Sequence, residues 1–140
     1  VKPQKILEIG TRAVCKEELD FAKKQKIQFV TARQIMEDGL KKTKQKIGGI
    51  LSGFNKIYLT IDMDILDPAF APAVQNPEPE GLDTHTVLDL LHEVCKHSII
   101  AFDVVEVTPH YDSGTTAIQA AKIIFENLCY IEKRRKTKRF

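Results

Sequence analysis

Short apolar runs alternate with amphipathic stretches along most of the chain. Four runs have the length and composition of strands: Lys5–Ile9, Ile27–Val30, Lys56–Asp62 and Ile99–Val107. Five other stretches carry apolar residues at helical spacing: 17–24, 34–37, 40–51, 86–96 and 113–130. Strands separated by helices predict an α/β layer fold with a parallel sheet, in which the two most hydrophobic strands, 57–62 and 99–107, are the inner ones.

The same pattern assigns helix starts and inner faces. Thr31 and Gln34 have the spacing of a capping box, and Asp83 is placed to cap the helix over 86–96. Two helices are expected to bury Ile47, Ile50 and Leu51, and Val87, Leu90, Leu91 and Val94, respectively. The last helix carries a set of apolar residues along one side: Ile118, Ala121, Phe125, Leu128 and Cys129.

The segment Ala69–Leu82 breaks this alternation. Pro72, Pro77 and Pro79 make it unsuitable for a helix or an inner strand, so it is predicted to be a loop. Loops of this length inside a compact domain are usually functional or disordered, and prolines stiffen this one. We therefore interpret it as the wall or lid of a pocket.

The composition fits one folded domain or part of one. Hydrophobic residues make up 43% of the 140 residues, and no apolar run approaches the ~20 residues of a membrane span. The N-terminal residues have no signal-peptide pattern. Cys15, Cys95 and Cys129 match neither a zinc spacing nor a disulfide framework, so we expect reduced, mostly buried thiols in a cytoplasmic protein.

Positive charge is concentrated at the C-terminus. Six of the 21 basic residues lie in 133–140, and the remaining chain has 15 basic against 19 acidic residues, a balance of −4. We interpret 133–140 as a basic tail after a domain over 1–132. A solvated terminus is the favoured interpretation, and binding of nucleic acid is the open alternative, with no aromatic platform to support it.

Acidic side chains follow the two most hydrophobic strands. Asp62 and Asp64 share one strand face, and Glu106 ends the other strand. Because carboxyl ends of parallel strands meet at one edge, these three carboxylates are expected to converge there, where a divalent metal would offset their repulsion. Glu106 could instead pair with a structural arginine.

Other polar residues near these strands have simpler interpretations. Asp67 precedes Pro68 and is expected to begin a turn, and Asp103 is expected to be structural. His110 follows Thr108-Pro109 near the same edge and could contact a ligand. We expect the other three histidines to be ordinary helix-surface residues: His85, His92 and His97.

Several segments closely resemble the ureohydrolases, the family of arginase and agmatinase. Residues 60–72 resemble the S-x-D-x-D-x-x-D-P signature, and 102–112 resemble the D-v-v-E-v-n-P segment. Residues 76–82 look like the agmatinase form of the pocket loop, Thr115-Thr116-Ala117 also fits, and 6–12 look like the strand and G-x-R turn upstream. The resemblance covers essentially the whole chain and implies a three-layer αβα, arginase-like fold.

The resemblance also implies a chemistry. Asp62 and Asp64 match aspartates that ligate and bridge two manganese ions, and Glu106 matches the glutamate that pairs with a substrate guanidinium. His110 is assigned to substrate binding because of its place beside Glu106. The implied reaction is hydrolysis of agmatine to putrescine and urea. Ala73 and Glu80 replace family glycines, and the extra acid would suit a longer cationic substrate such as aminopropylagmatine, or another guanidino compound.

Two family metal motifs, G-G-D-H and D-A-H-x-D, do not occur in the sequence. The chain is therefore expected to be the C-terminal half of a ureohydrolase, inactive and weakly metal-binding alone, with exposed apolar surface. A non-catalytic or complementing subunit, whose missing ligands come from another chain, is the alternative. We further expect a homo-oligomer that binds a small cationic guanidino substrate, and no membrane or nucleic-acid partner.

Overall fold

The computed structural model describes residues 1–137 and confirms the predicted α/β class. Its strands are β1 Leu7–Thr11, β2 Gln28–Thr31, β3 Ile57–Asp62 and β4 Ile99–Val105. Its helices are α1 Lys16–Gln25, α2 Ala32–Asp38, α3 Leu40–Leu51, α4 Thr84–Cys95 and α5 Thr115–Thr137. Short 3-10 turns cover Pro3–Lys5, Met63–Ile65 and Pro109–Tyr111. The fourth strand thus ends two residues before the predicted boundary, and Glu106 lies just beyond it.

The strands form two parallel pairs, β1 with β2 and β3 with β4. In the second pair Thr60 lies opposite Asp103, and Asp62 lies opposite Val105. The prediction of one sheet with two inner strands needs correction, because no ladder joins the two pairs within residues 1–137. One face of β3 packs on the core, with Ile61 buried, but Tyr58 on the other face is 60% exposed.

One continuous core holds the second strand pair against the helices. α4 contributes all four residues that the pattern assigns to it, and α3 contributes Ile47 and Leu51. Burying a side chain of this size stabilises the fold by about 1.5–3 kcal/mol. The core also includes residues from the segment between β3 and α4: Met63, Leu66, Ala71, Val74 and Leu82.

The predicted helix caps are confirmed. The Thr31 hydroxyl accepts from the Gln34 amide at 3.1 Å, and the Gln34 side chain accepts from the Thr31 amide at 3.0 Å. The Asp83 carboxylate accepts from the Thr86 amide at 2.7 Å. Such caps accept hydrogen bonds from amides that have no partner within the first helical turn. They fix the start of α2 directly after β2 and the start of α4 directly after the long loop.

The apolar side of α5 is largely exposed. Ile118, Phe125 and Leu128 are 71%, 61% and 52% exposed. The helix instead buries Thr116, Ala120, Ile123 and Asn127. Two of these are polar: Thr116 Oγ1 accepts from the Ala73 amide, and Asn127 Oδ1 accepts from Cys95 Sγ, while Asn127 Nδ2 is buried without a partner among residues 1–137. We call Ile118, Ala121, Phe125, Leu128 and Cys129 the outer face of α5.

The cysteine prediction is also wrong in part. Cys15 and Cys129 are exposed, and only Cys95 is buried. Cys15 precedes α1 and accepts no core contact, while Cys129 lies on the outer face of α5. Burial raises the pKa of the Cys95 thiol to about 12, so this group stays protonated at neutral pH.

Part of the basic tail belongs to the last helix. α5 continues to Thr137, and the Arg134 guanidinium donates to the Lys96 carbonyl at the end of α4 at 2.9 Å. The tail residues 138–140 lie outside the described residues.

His92 is half-buried and stacks on Tyr130, with ring centroids 4.6 Å apart, so it is not a plain surface residue. His97 is half-buried as well, and burial lowers its pKa. In the part of the chain that the structure describes, no helix combines the length and apolarity needed to cross a membrane.

Candidate functional site

Three carboxylates meet where β3 and β4 end, and we call Asp62, Asp64 and Glu106 the acidic rim. The parallel pairing of the two strands brings their carboxyl ends to one edge. Asp62 Oδ1 accepts from the Asp64 amide at 2.8 Å, which turns the chain sharply into the 3-10 turn after β3. The register sets Asp62 opposite Val105, so Glu106 follows β4 directly beside the end of β3, as the sequence predicts.

Asp64 carries the strongest sign of a missing partner. Burial raises the pKa of its carboxyl, and the charges of Asp62 and Glu106 raise it further. The Asn76 amide and the Arg12 guanidinium oppose that rise. Asp64 Oδ1 is buried without a hydrogen-bond partner. A buried carboxylate oxygen beside two other acids is costly unless a cation or donor reaches it.

Glu106 has an unusual backbone conformation. Its φ is +64°, in the left-handed region that side chains other than glycine rarely adopt. Such strain costs of order 1 kcal/mol or more and is concentrated at functional sites. Thr108, two residues later, donates its amide to the Ala73 carbonyl at 2.9 Å, which holds the chain in this turn. In residues 1–137, no ion pair to an arginine, lysine or histidine involves the acidic rim.

The pocket-wall loop, residues 69–82, is anchored at its base by Asp67. The carboxylate of Asp67 accepts from the Ala69 amide at 2.9 Å and from the Gly81 amide at 3.1 Å. These amides lower the pKa of Asp67, that of Ala69 most strongly. The predicted turn role of Asp67 is therefore confirmed, and the loop is closed at both ends by one side chain.

Gly81 lets the two ends of the loop approach closely. A Cβ at position 81 would lie 2.3 Å from the Asp67 backbone nitrogen, which no side chain can accept. This approach allows the Leu82 amide to donate to the Ile65 carbonyl, and the Asp67 amide to donate to the Leu82 carbonyl, each at 3.0 Å. The loop is irregular but fixed.

The middle of the loop is attached to α5. The Thr116 hydroxyl accepts from the Ala73 amide at 2.9 Å and donates to Asp112 at 2.8 Å. Asp112 also accepts the Thr116 and Gly114 amides, and these bonds lower its pKa, the Thr116 amide most. Ala73 itself is fully buried, so a residue read from sequence as part of the substrate wall is also part of the packing.

The other predicted residues are exposed or serve the fold. His110 is exposed, and among residues 1–137 its side chain has no hydrogen bond or ion pair. Asp103 accepts from the Tyr58 hydroxyl across the strand pair, which agrees with a structural role. Glu80 is exposed, with φ +63°, and its charge acts on Arg33 of α2.

Sequence reasoning missed the role of Arg12. Its guanidinium donates to the backbone carbonyls of Asp64, Leu66 and Glu78, across as many as 66 residues of sequence. The G-x-R turn was visible, but nothing in the local pattern shows which carbonyls an arginine reaches. Arg12 thus connects the end of β1 to the acidic rim and to the pocket-wall loop.

The side chains of the acidic rim are of the type that binds a divalent cation, but they are too few to form a complete site. Carboxylate oxygens suit manganese, and Asp64 Oδ1 has no hydrogen-bond partner in residues 1–137. Within the described residues, however, no group of three metal-ligating side chains is found. Asp62 and Asp64 can therefore supply part of a coordination shell, and the remaining ligands are not among residues 1–137.

Comparison with known proteins gives a consistent family. The arginase family model matches residues 1–129. An agmatinase of Neisseria meningitidis serogroup C is 36% identical over 129 residues, which are 91% of this chain and 40% of that protein. The mitochondrial arginase 1 of Oryza sativa subsp. indica is 36% identical over 132 residues, which are 93% of this chain and 38% of that protein.

Solved structures share the fold. The proclavaminate amidino hydrolase of Streptomyces clavuligerus superimposes with a TM-score of 0.85 at 36% identity, over 96% of this chain and 44% of that one. This likeness confirms the arginase-like fold, of which the chain holds a C-terminal portion. The chain spans less than half the length of each of these relatives.

Proposed function

Because this chain belongs to the arginase family, we propose that it supplies the acidic rim and part of the substrate wall of a manganese-dependent ureohydrolase. The observation that carries the proposal is the meeting of three carboxylates at one strand edge, with Asp64 Oδ1 buried and unpaired. A structural cluster of acids would be expected to hold a lysine or arginine as an ion-pair partner.

Each acid of the rim has a distinct part in this proposal. Asp62 and Asp64 would hold manganese, which when bound makes a water acidic enough to provide a nucleophile near neutral pH. Glu106 would accept forked, charge-assisted hydrogen bonds from the substrate guanidinium and so orient its carbon. His110, on the exposed turn after Glu106, is proposed to contact the same substrate. Hydrolysis would release urea and an amine.

Agmatine is the proposed substrate, on the evidence of the pocket-wall loop. Identity does not discriminate, since agmatinase and arginase relatives are both 36% identical. The segment 76–82 resembles the agmatinase form. A longer cationic substrate stays the alternative, which the exposed extra acid Glu80 would suit. A cytoplasmic homo-oligomer stays a prediction, which sedimentation of the purified chain can check.

The metal part of the proposal is tested by Mn²⁺ titration of the purified chain, followed by electron paramagnetic resonance of the free ion. Asp62→Asn and Asp64→Asn should each weaken binding by about tenfold or more, because a ligand oxygen is replaced by a weaker donor. Asp103→Asn is the matched control, since it removes an acid from β4 outside the rim. Equal binding by all three variants and the wild type would refute the assignment.

The substrate part is tested by NMR of the ¹⁵N-labelled chain with agmatine, arginine or putrescine. Agmatine should shift amides around residues 104–110 and 74–82, and putrescine should not, because it lacks the guanidinium. Glu106→Gln should abolish the agmatine shifts while leaving Mn²⁺ binding unchanged. Shifts with arginine alone would overturn the choice of agmatine.

The small number of metal ligands favours a second candidate function, that of a subunit whose other ligands come from a separate chain. In either case, the isolated chain with Mn²⁺ and agmatine should produce no urea, and measurable turnover would contradict this expectation. Genomic sequence next to the codon of Val1 distinguishes the two cases. An open reading frame continuous with this one and carrying G-G-D-H and D-A-H-x-D supports a single enzyme, and a separate chain carrying them supports complementation.

A further inference from the structure

Arg12 makes an unusually large number of long-range contacts for one side chain. Four of its N–H groups donate to three backbone carbonyls, all in segments that are distant in sequence. Nε and Nη2 both donate to the Glu78 carbonyl, at 3.0 and 2.6 Å. Nη1 donates to the Asp64 carbonyl, and Nη2 also donates to the Leu66 carbonyl at 3.2 Å.

The two edges of the guanidinium thus face two different segments. One edge faces 64–66, which follows the acidic strand β3, and the other faces Glu78 in the pocket-wall loop. Arg12 itself is held in place, because Gly10 packs directly against Ile65: a Cβ at position 10 would lie 2.5 Å from the Ile65 side chain. The end of β1 is therefore fitted to the turn that carries Asp64.

The acceptors of Arg12 are backbone carbonyls, and this indicates why the residue must be an arginine. A surface arginine that pairs with a carboxylate can be exchanged for lysine with little loss, whereas a planar fork that satisfies three carbonyls depends on its fixed geometry. The acceptors cannot move independently of their segments, so these bonds fix the spacing of the segments. The positive charge of Arg12 also acts favourably on Asp64 and Asp67.

We propose that Arg12 is a positioning residue, whose guanidinium fixes the acidic segment 62–66 against the pocket-wall loop at Glu78. The spacing between the metal-facing carboxylates and the substrate wall is then set by one side chain from a different strand pair. This role rests on the proposed function for its purpose, but the structural coupling it describes stands independently of any metal.

Arg12→Lys is the decisive variant, because it keeps the charge and removes the fork. Hydrogen exchange of the purified chain, read by mass spectrometry, should show faster exchange in peptides covering 62–68 and 76–82. The amides of Asp67, Gly81 and Leu82 are the reporters there, since each is hydrogen-bonded between these segments. We expect about tenfold or more acceleration in both segments, with exchange in α4 unchanged.

Arg33→Lys is the matched control, because Arg33 is an exposed arginine whose partner is a carboxylate four residues away. It should leave exchange in both segments at the wild-type rate. Arg12→Ala should give the same local pattern as Arg12→Lys, and lysine should give no rescue. A purely stabilising role for Arg12 would instead accelerate exchange throughout the core in proportion to the loss of global stability.

Mn²⁺ affinity connects the coupling to the proposed function. Arg12→Lys should weaken Mn²⁺ binding by about 10–100-fold, the range expected when an outer partner of a ligand is lost. Unchanged exchange in Arg12→Lys overturns the proposal whatever the Mn²⁺ affinity, and so does acceleration that extends to α4; faster exchange confined to the two segments supports it. If the wild-type chain binds no Mn²⁺, the proposed function loses its metal site, and the exchange pattern alone decides for or against Arg12.

Discussion

The pocket-wall loop and the last helix differ in a way that reverses the usual expectation. The loop has no regular secondary structure, yet Asp67, Thr116 and Arg12 fix its start, middle and far side. α5 is regular over 23 residues, yet its most apolar side is exposed. Regular secondary structure therefore does not indicate which region has all its contacts within this chain. What indicates it is whether the polar groups have hydrogen-bond partners and the apolar side chains are buried.

The largest expected effect contrasts the two faces of α5. Ile123→Ala should lower the free energy of unfolding by about 2–4 kcal/mol, because it leaves a cavity in a fully buried site. Phe125→Ala, two residues further along, should change it by less than ~0.5 kcal/mol, because Phe125 is 61% exposed. Urea unfolding followed by circular dichroism measures both. A loss of more than ~2 kcal/mol for Phe125→Ala would show that the outer face of α5 is covered in solution.

A second contrast uses two glycines. Gly81→Ala should destabilise the chain by about 3 kcal/mol or fail to fold, because its Cβ would collide with the Asp67 backbone. Gly49→Ala, in the last turn of α3 with open space around it, should stabilise by at most about 1 kcal/mol. The same unfolding assay decides. A neutral Gly81→Ala variant would mean that the loop ends are not closely packed.

Thr116 belongs to both regions, so its replacement sharpens the comparison. Thr116→Val keeps the shape but removes the acceptor of the buried Ala73 amide, and should cost about 1–3 kcal/mol. Thr115→Val, at the neighbouring exposed position, should stay within ~0.5 kcal/mol of wild type. If both variants behave alike, the attachment of the loop to α5 contributes nothing.

The smallest effect concerns pH. Accepting the Thr86 amide lowers the pKa of Asp83, so this carboxylate adds stability above the ordinary Asp pKa and loses it as pH falls through its folded-state pKa. Asp83→Ala should cost about 1 kcal/mol at neutral pH. Asp83→Asn keeps an uncharged cap, so its difference from wild type should shrink as the pH falls below the ordinary Asp pKa and vanish once Asp83 is protonated in the folded state. Thermal unfolding across pH measures both, and a constant difference would contradict the ionic contribution.

Most elements of the fold could be predicted from sequence, because each depends on local spacing. The caps at Thr31 and Asp83 and the inner face of α4 are examples. The carboxylates of the acidic rim could also be placed together, since parallel strands bring their carboxyl ends to one edge. The placement of Asp62 and Asp64 on one face follows from the two-residue period of a strand. The placement of Glu106 follows from its position at the end of the other strand.

Features that depend on distant partners could not be predicted. The sequence shows an apolar side on α5 but not whether it is covered, and the structure buries Thr116 and Asn127 on another side, where they accept hydrogen bonds from the Ala73 amide and the Cys95 thiol. The spacing of apolar residues shows which side of a helix is hydrophobic. Only tertiary contacts show which side is covered by other parts of the protein. The reach of Arg12 and the left-handed backbone of Glu106 leave no local signal of their own.

At position 106 the backbone conformation favours glycine, whereas the proposed site needs a carboxylate. Glycine adopts a φ of +64° freely, so Glu106→Gly should relieve strain of order 1 kcal/mol while it removes the carboxylate. A library of this chain sorted only for heat tolerance would accumulate glycine at position 106. If Glu106 binds the substrate guanidinium as proposed, a library sorted for that binding would keep glutamate. Sequences redesigned on this backbone for stability alone would discard that glutamate among their first changes.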